Sequence, residues 1–313
     1  MRNGTPSLLG VGGAHIDRRG KSHAAFVAGA SNPGEMREDV GGGVFNALRN
    51  ARQRGVACTL FSVRGGDGAG MAVGETAEAA GIMDISGVFL DRATASYTAL
   101  IDGDGEVVGA LADMGIYETA FPRRMRLNSL RRAIAAADAV LADANPPGAA
   151  LERLVALAGP GKVHAIAVSP AKVVRFLPLL DQLACLFCNT REAKVLTGAS
   201  DPAEQIAGLR ALGLGAGVIT AGADGIMFFE GERVFRLDPP HLAATVDATG
   251  AGDALAGGTV AARMLGLSLP DALRHGVAGA RLALQSSRSV PEIGEESFGA
   301  ALALVPEAVA SGV

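Results

Sequence analysis

Thr245-Val-Asp-Ala-Thr-Gly-Ala-Gly-Asp-Ala-Leu-Ala-Gly-Gly258 is a loop that turns on Gly250 and Gly252 and then enters an Ala-rich helical stretch. Paired glycines let a backbone turn tightly and come close to a ligand. The first N–H groups of the helix that follows have no partner inside it, and the dipole there favours negative charge. These N–H groups form a nest that suits an anion. Asp253 stands at its mouth, where a carboxylate can take a proton from an attacking hydroxyl. A lone Gly-Ala-Gly with an aspartate as helix cap would be ordinary. The longer string, with Asp247 as a second aspartate and a closing Gly257-Gly258, is not. It is no Walker A loop, because no Gly-Lys-Ser/Thr follows. Nor does Gly10-Val-Gly-Gly13 make a dinucleotide fingerprint, since the third glycine and an immediate helix are missing.

Outward from this loop the chain alternates strands and helices. Apolar runs at Ser7–Val11, Val56–Val63, Ala139–Ala142, His164–Val168, Leu183–Cys188 and Gly217–Thr220 read as buried strands. Helical spacing is expected over 44–54, 127–137, 148–158, 171–180, 191–196, 202–212, 251–265, 270–285 and 296–310. That rhythm predicts an α/β fold, a three-layer α/β/α Rossmann-like sandwich on a mostly parallel sheet. Ligands then sit beyond the carboxyl ends of the strands. Residues 85–112 break the rhythm with short strands Val88–Leu90, Ser96–Ile101 and Val107–Leu111, the last two joined by the turn Asp102-Gly103-Asp104-Gly105. With 14–40 they are expected to form a small β-sheet lid on a single domain spanning 1–313.

Bulk properties exclude several classes. A net charge of −4 over 313 residues gives no basic footprint for nucleic acid. Met1–Ser7 lacks an apolar core of signal length, and no run approaches the ~20 residues of a membrane span. Three cysteines, an odd number, imply no disulfide framework, so a reducing cytoplasm is expected. Cys185 and Cys188 form a C-x-x-C inside an apolar run, read as buried structural thiols.

The 247–253 string with Gly257-Gly258 resembles the carboxy-terminal signature of the ribokinase-like (PfkB-type) sugar and nucleoside kinases, and the likeness extends from Gly12 to about Pro291. The resemblance implies a ribokinase-like sandwich with a lid, ATP and Mg²⁺ as cofactors, and K⁺ as a monovalent ion to be tested. It implies Asp253 as the base, the Gly250–Gly252 backbone as the anion hole, and Asp247 near the nucleotide and ions. Gly41-Gly42-x-x-x-Asn46 resembles the amino-terminal signature. Independently of that, paired glycines let a polyol lie against backbone, and Asn46 offers both donor and acceptor. Asp17 matches an aspartate that binds sugar hydroxyls; the plain reading is a solvated loop acid. His15, often Asn in the family, either touches substrate or fills a turn.

Asn189-Thr-Arg-Glu192 resembles the family's Asn-x-x-Glu motif, in which Glu192 would act on Mg²⁺ through water. The same spacing makes a helix-capping arrangement. Thr220-Ala-Gly222-x-x-Gly225 resembles the segment that holds nucleotide phosphates and ribose. Gly12–Lys21, Ser31-Asn-Pro-Gly34, Leu111–Glu118, Asp143-Ala-Asn145 and Val168-Ser-Pro-Ala-Lys172 look like the pseudouridine kinase branch. By that likeness Asn145 and Lys172 line the cleft, while Tyr97 and Asp113 face the base or ribose. Phe45, where the branch often has Arg, departs from the pattern. Ribose, adenosine or a ketose stay open as acceptors, as does a non-catalytic nucleoside-binding protein on the same scaffold. A lid edge could also pair with a second copy to form a homodimer.

Overall fold

The protein is described by a computed structural model over residues 4–242 and 245–311. Ten strands form the central sheet, in the order Val309–Ala310, Arg233–Leu237, Ile226–Glu230, Ala216–Thr220, Leu183–Asn189, Val163–Ile166, Ala139–Asp143, Ser7–Val11, Ala57–Phe61 and Met83–Asp84. The run from Ala216–Thr220 to Met83–Asp84 is parallel; the three strands at the other edge are antiparallel.

Both faces of this sheet are buried, which is why its strands read as continuous apolar runs. Leu8 and Leu9 show the rule. Successive side chains of a strand point to opposite faces. Leu8 joins a core with Leu48, Val260 and Leu273, whereas Leu9 joins one with Phe121, Leu154 and Phe176. Helices Gly43–Gln53, Ala251–Met264 and Leu269–Leu284 cover the first face; Gly115–Arg124, Gly148–Ala158 and Thr190–Thr197 cover the second. The same parity separates the cysteines. Cys185 packs in the first core and Cys188 in the second, so the two cannot pair across the sheet. Burial pushes the Cys185 thiol up to about 12.

A second sheet of four strands runs Gly34–Gly41, His15–Ser22, Ser96–Ile101, Val107–Asp113. It joins residues 14–40 to the hairpin expected from Asp102–Gly105. One expectation is corrected. Gly87–Phe89 is not part of this sheet; it runs parallel to Val63–Gly65 in a two-stranded sheet of its own. The inserted strands therefore begin at Ser96. Two helices also differ from expectation. Residues 171–180 divide into a short helix Pro170–Val173 and a 3₁₀ stretch Val174–Gln182, with Pro178 inside it; proline removes a backbone donor there. The last helix stops at Ala303, three residues before Pro306, and the chain returns as the edge strand Val309–Ala310. Among the described residues no helix is long and apolar enough to cross a membrane.

Candidate active site

The site lies beyond the carboxyl ends of the parallel strands. Ser7–Val11 delivers Gly12 and Gly13, Ala139–Asp143 ends in Asp143, and Leu183–Asn189 ends in Asn189. Across from them stands helix Ala251–Met264. Gly250 is its N-cap at φ 81°, a left-handed conformation that glycine adopts without strain. A side chain at Gly250 would also collide with the carbonyl of Ser289. By contrast, a Cβ at Gly252 would meet nothing within 4 Å, so the nest opens on that side.

Asp253 lies in the first turn of this helix. Asn46 Nδ2 donates to its Oδ2 at 3.0 Å. Burial pushes its carboxyl up to about 7; the Asn46 bond and the charge of His15 oppose that rise, and Asp143 and Asp17 add to it. A carboxylate held near neutrality is suited to general-base work. Helix Gly43–Gln53 brings in Asn46. It starts from Gly42 at φ 113°, where a side chain would strike the carbonyl of Gly13. A side chain at Gly41 would strike Oδ2 of Asp17. The paired glycines therefore let three segments meet: the turn after the first strand, the lid, and this helix.

Asp143 is fully buried at the centre. Its Oδ2 accepts from Gly13 N at 2.9 Å and Val44 N at 3.0 Å, and its Oδ1 accepts from Asn145 N at 2.9 Å. Gly43 separates it from Asp253. A Cβ there would stand 3.3 Å from Asp143 Oδ2 and 3.5 Å from Asp253 Oδ1. From the sequence alone Asp143 is only a member of Asp143-Ala-Asn145, with no role of its own. Its position as the last residue of a buried strand is the signal that was available.

Asn145 accepts from Lys172 Nζ at 2.7 Å. Burial lowers the Lys172 pKa, with Asp143 opposing and Arg175 adding to the fall. Between these residues Val168 sits at φ 68° with Ser169 N bonded to Ala167 O at 2.8 Å, a γ-turn that a β-branched residue rarely adopts. Strain of this kind gathers at sites where surrounding structure fixes the backbone. Two buried polar atoms at the site have no protein partner: Asn46 Oδ1, an acceptor, and Asn145 Nδ2, a donor. A polar ligand with hydroxyl or amide groups fits that pair.

On the lid, His15 Nε2 lies 3.3 Å from Asp17 Oδ1, and its Nδ1 lies 3.1 Å from the Tyr117 hydroxyl. Tyr117 is fully buried and also bonds both backbone groups of Ala14. Tyr97 is in register with Asp17 and so shares its face. Asp113 pairs with Ser96, in the row of Ile16, and so lies on the opposite face from Asp17 and Tyr97. Asn189 and Glu192 complete a capping box on helix Thr190–Thr197, with Glu192 Oε2 accepting Asn189 N at 2.8 Å. Burial raises the Glu192 pKa, and that bond opposes the rise. Further along the edge, Thr220 ends its strand, and Gly222 and Gly225 take φ 61° and 110°. Asp247 Oδ1 accepts Thr249 N at 2.8 Å, which fixes the turn before the nest.

No group of three or more His, Cys, Asp or Glu side chains that could hold a metal occurs among the described residues. Mg²⁺ in phosphotransferases keeps several waters and takes one or two carboxylates along with substrate phosphates. Glu192 with Asn189 could serve it in that way, and the ion would supply charge neutralisation on the phosphates.

The profile described as pfkB family carbohydrate kinase matches residues 6–292. The chain belongs to that family. A carbohydrate kinase from Agrobacterium tumefaciens is 43% identical, covers 97% of this chain and 99% of its own, and superposes with a TM-score of 0.85. Pseudouridine kinase of Escherichia coli is 27% identical over 286 residues, 88% of this chain and 89% of that protein. Arabidopsis thaliana ribokinase complexed with ribose and ATP, at 21% identity, shares the fold with a TM-score of 0.82 over 96% of this chain and 99% of its own. Membership in the family makes the chain a sugar or nucleoside kinase, a phosphotransferase with an alcohol acceptor and ATP as the donor used by ribokinase-like kinases. The fold is the ribokinase-like sandwich with its small sheet.

Proposed function

We propose that the protein phosphorylates the primary hydroxyl of a nucleoside, with pseudouridine giving pseudouridine 5′-phosphate and ADP. One observation carries the chemistry: Asp253 stands in the first turn of a glycine-capped helix with its carboxyl near neutrality. In this reading Asp253 takes the proton of the 5′-hydroxyl as its oxygen attacks the γ-phosphorus of ATP. The P–O bond to ADP breaks as the new one forms. The N–H groups of Gly250, Ala251 and Gly252 hold the migrating group. Asp17, Gly41, Gly42, Asn46 and His15 hold the sugar. Asn189, Thr220, Gly222, Gly225 and Asp247 hold the nucleotide, and Glu192 would hold Mg²⁺ through water.

Support for the acceptor is narrower. The Lys172–Asn145 bond joins two segments that match the pseudouridine kinase branch, and both face Asp143. Tyr97 lies on the Asp17 face of the lid, where a base would stack. The lid, in this reading a subdomain on a single kinase domain, closes over the acceptor and excludes water. Its outer face leaves Met36, Leu100 and Leu111 exposed, which favours a homodimer through the lid.

The test is an ATP-dependent screen over pseudouridine, uridine, adenosine, ribose and fructose, with and without K⁺. Asp253→Asn should lose turnover by several orders of magnitude while ATP and acceptor still bind. Near-normal turnover in that variant removes the base assignment. Turnover of another acceptor but not pseudouridine removes only the substrate.

A further inference from the structure

The lid strand His15–Ser22 shows His15, Asp17 and Arg19 on one face, because alternate residues of a strand share a face. His15 and Asp17 are already placed in the site. Arg19 reaches further, to the loop that builds the nest. Its Nη1 donates to Asp247 Oδ2, and its Nη2 donates to Ser289 Oγ at 3.1 Å. Nη2 also lies 3.9 Å from Asp39. Both main partners adjoin the nest. Asp247 holds Thr249 N with its other oxygen, and the Ser289 carbonyl packs where a side chain on Gly250 would stand. A lid side chain is thus seated on the turn that leads into the anion hole.

Charge gives this contact a purpose. Asp17, Asp143, Asp247 and Asp253 gather at the site, and a triphosphate has to enter among them. Of the nearby cations, Lys172 is bonded to Asn145, while Arg175 is spread over the carbonyls of Ala144, Asn145 and Pro146 and the carboxylate of Glu118. Arg19 is bonded to the residues beside the nest, while Arg288 next to Ser289 is exposed and Arg49 donates to the Val40 carbonyl. A guanidinium has five N–H donors in a planar fork that matches phosphate oxygens. Asp247 and Ser289 engage two of its nitrogens and leave donors free. The side chain is mostly buried, so its charge is weakly screened.

We infer that Arg19 is a lid-borne phosphate-binding residue, touching the phosphoryl group in transfer at the nest and tying lid seating on Asp247 and Ser289 to that transfer. The inference rests on the reading of Asp253 and the nest as the phosphoryl-transfer site. Arg19 forms and breaks no covalent bond; it offsets charge on the migrating group. Lid closure and phosphate binding then become one event, which limits transfer to water.

Arg19→Gln and Arg19→Lys in the full chain, assayed with ATP, Mg²⁺ and the acceptor that turns over in the screen, decide it. In Arg19→Gln, kcat should fall about 100-fold or more, as when one oxyanion donor is removed, while the acceptor KM moves less than about threefold. Arg19→Lys keeps the charge without the fork and should fall between. Guanidinium chloride at non-denaturing millimolar concentration should restore the Arg19→Gln rate by about tenfold, an effect a purely structural latch would not give. If Arg19→Gln fails to fold by circular dichroism, Arg19→Lys carries the test: a kcat within about threefold of the native chain overturns the inference. So does a folded Arg19→Gln with near-native kcat, or one that guanidinium does not rescue. Asp253→Asn separates the two levels. If that variant is active, the underlying site reading fails. If it is dead while Arg19→Gln is active, only the role of Arg19 fails.

Discussion

Asn46 donates to Asp253 at 3.0 Å through its amide nitrogen, while its amide oxygen is buried without a partner. The amino-terminal glycine pair and the carboxy-terminal nest are thus joined by one side chain across 207 residues of sequence. One end of the amide tunes the carboxylate; the other is free to accept from a substrate hydroxyl. The expected consequence of Asn46→Ala is twofold. Loss of the hydrogen bond, which lowers the Asp253 pKa, should move the acid limb of the pH–rate profile above its native position. The acceptor KM should rise by about tenfold from the lost hydroxyl contact. An acid limb that does not move would show that Asp253 does not set it.

In the native chain, log(kcat/KM) should climb with slope near one below pH about 7 and level above it, because the base must be ionised. Stability should run the other way. The folded carboxyl binds its proton up to about pH 7, whereas the unfolded one releases it near the ordinary carboxylate value of about 4. Between those limits the native state holds more protons, so this group's contribution to stability falls as pH rises. Asp253→Asn should therefore lose less stability than the native chain between pH 5 and pH 8 in urea titrations. Equal losses would contradict the raised pKa.

Asp143 accepts three backbone N–H groups from three segments and is fully buried. Asp143→Asn turns an acceptor oxygen into a donor facing donors. It should cost about 3 kcal/mol of unfolding free energy, the scale of a lost hydrogen bond to a buried charge, with kcat/KM falling as Gly13 and Gly43 shift. A variant as stable as the native chain would show that these segments hold their places without it.

Gly41→Ala puts a methyl group onto the Asp17 carboxylate. Acceptor binding should weaken by about tenfold or more while the ATP KM stays near native, because in the proposed function the displaced carboxylate holds the sugar. Parallel rises in both KM values would instead point to a general disturbance of the lid.

Glu192→Gln retains an oxygen to accept Asn189 N–H, so helix Thr190–Thr197 should keep its cap and the melting temperature should hold. The Mg²⁺ concentration for half-maximal rate should rise by several-fold as the negative charge is lost. An unchanged Mg²⁺ dependence would leave Glu192 as a helix cap alone.

Local sequence fixed what local physics controls. Apolar runs of strand length set the buried parallel sheet, and 96–101 and 148–158 were placed to the residue. Gly250 at the head of an Ala-rich helix announced the nest, because a left-handed cap followed by unpaired N–H groups is a property of a few adjacent residues. The limits of that reading were long-range. Val88 pairs with Arg64 rather than with the inserted strands, a partner that its local sequence does not specify. Asp143 looked like an ordinary strand-end acid, since its meaning comes from donors 99 and 130 residues away. Arg19 gave no sign at all, as an arginine in a polar strand is usually solvated. Only the packing of the lid strand over Asp247 and Ser289 turns it toward the nest. The sequence by itself determined the fold and the glycine turn that opens helix Ala251–Met264; the tertiary structure decided which charges meet there, because Coulomb and hydrogen-bond partners are chosen by distance in space.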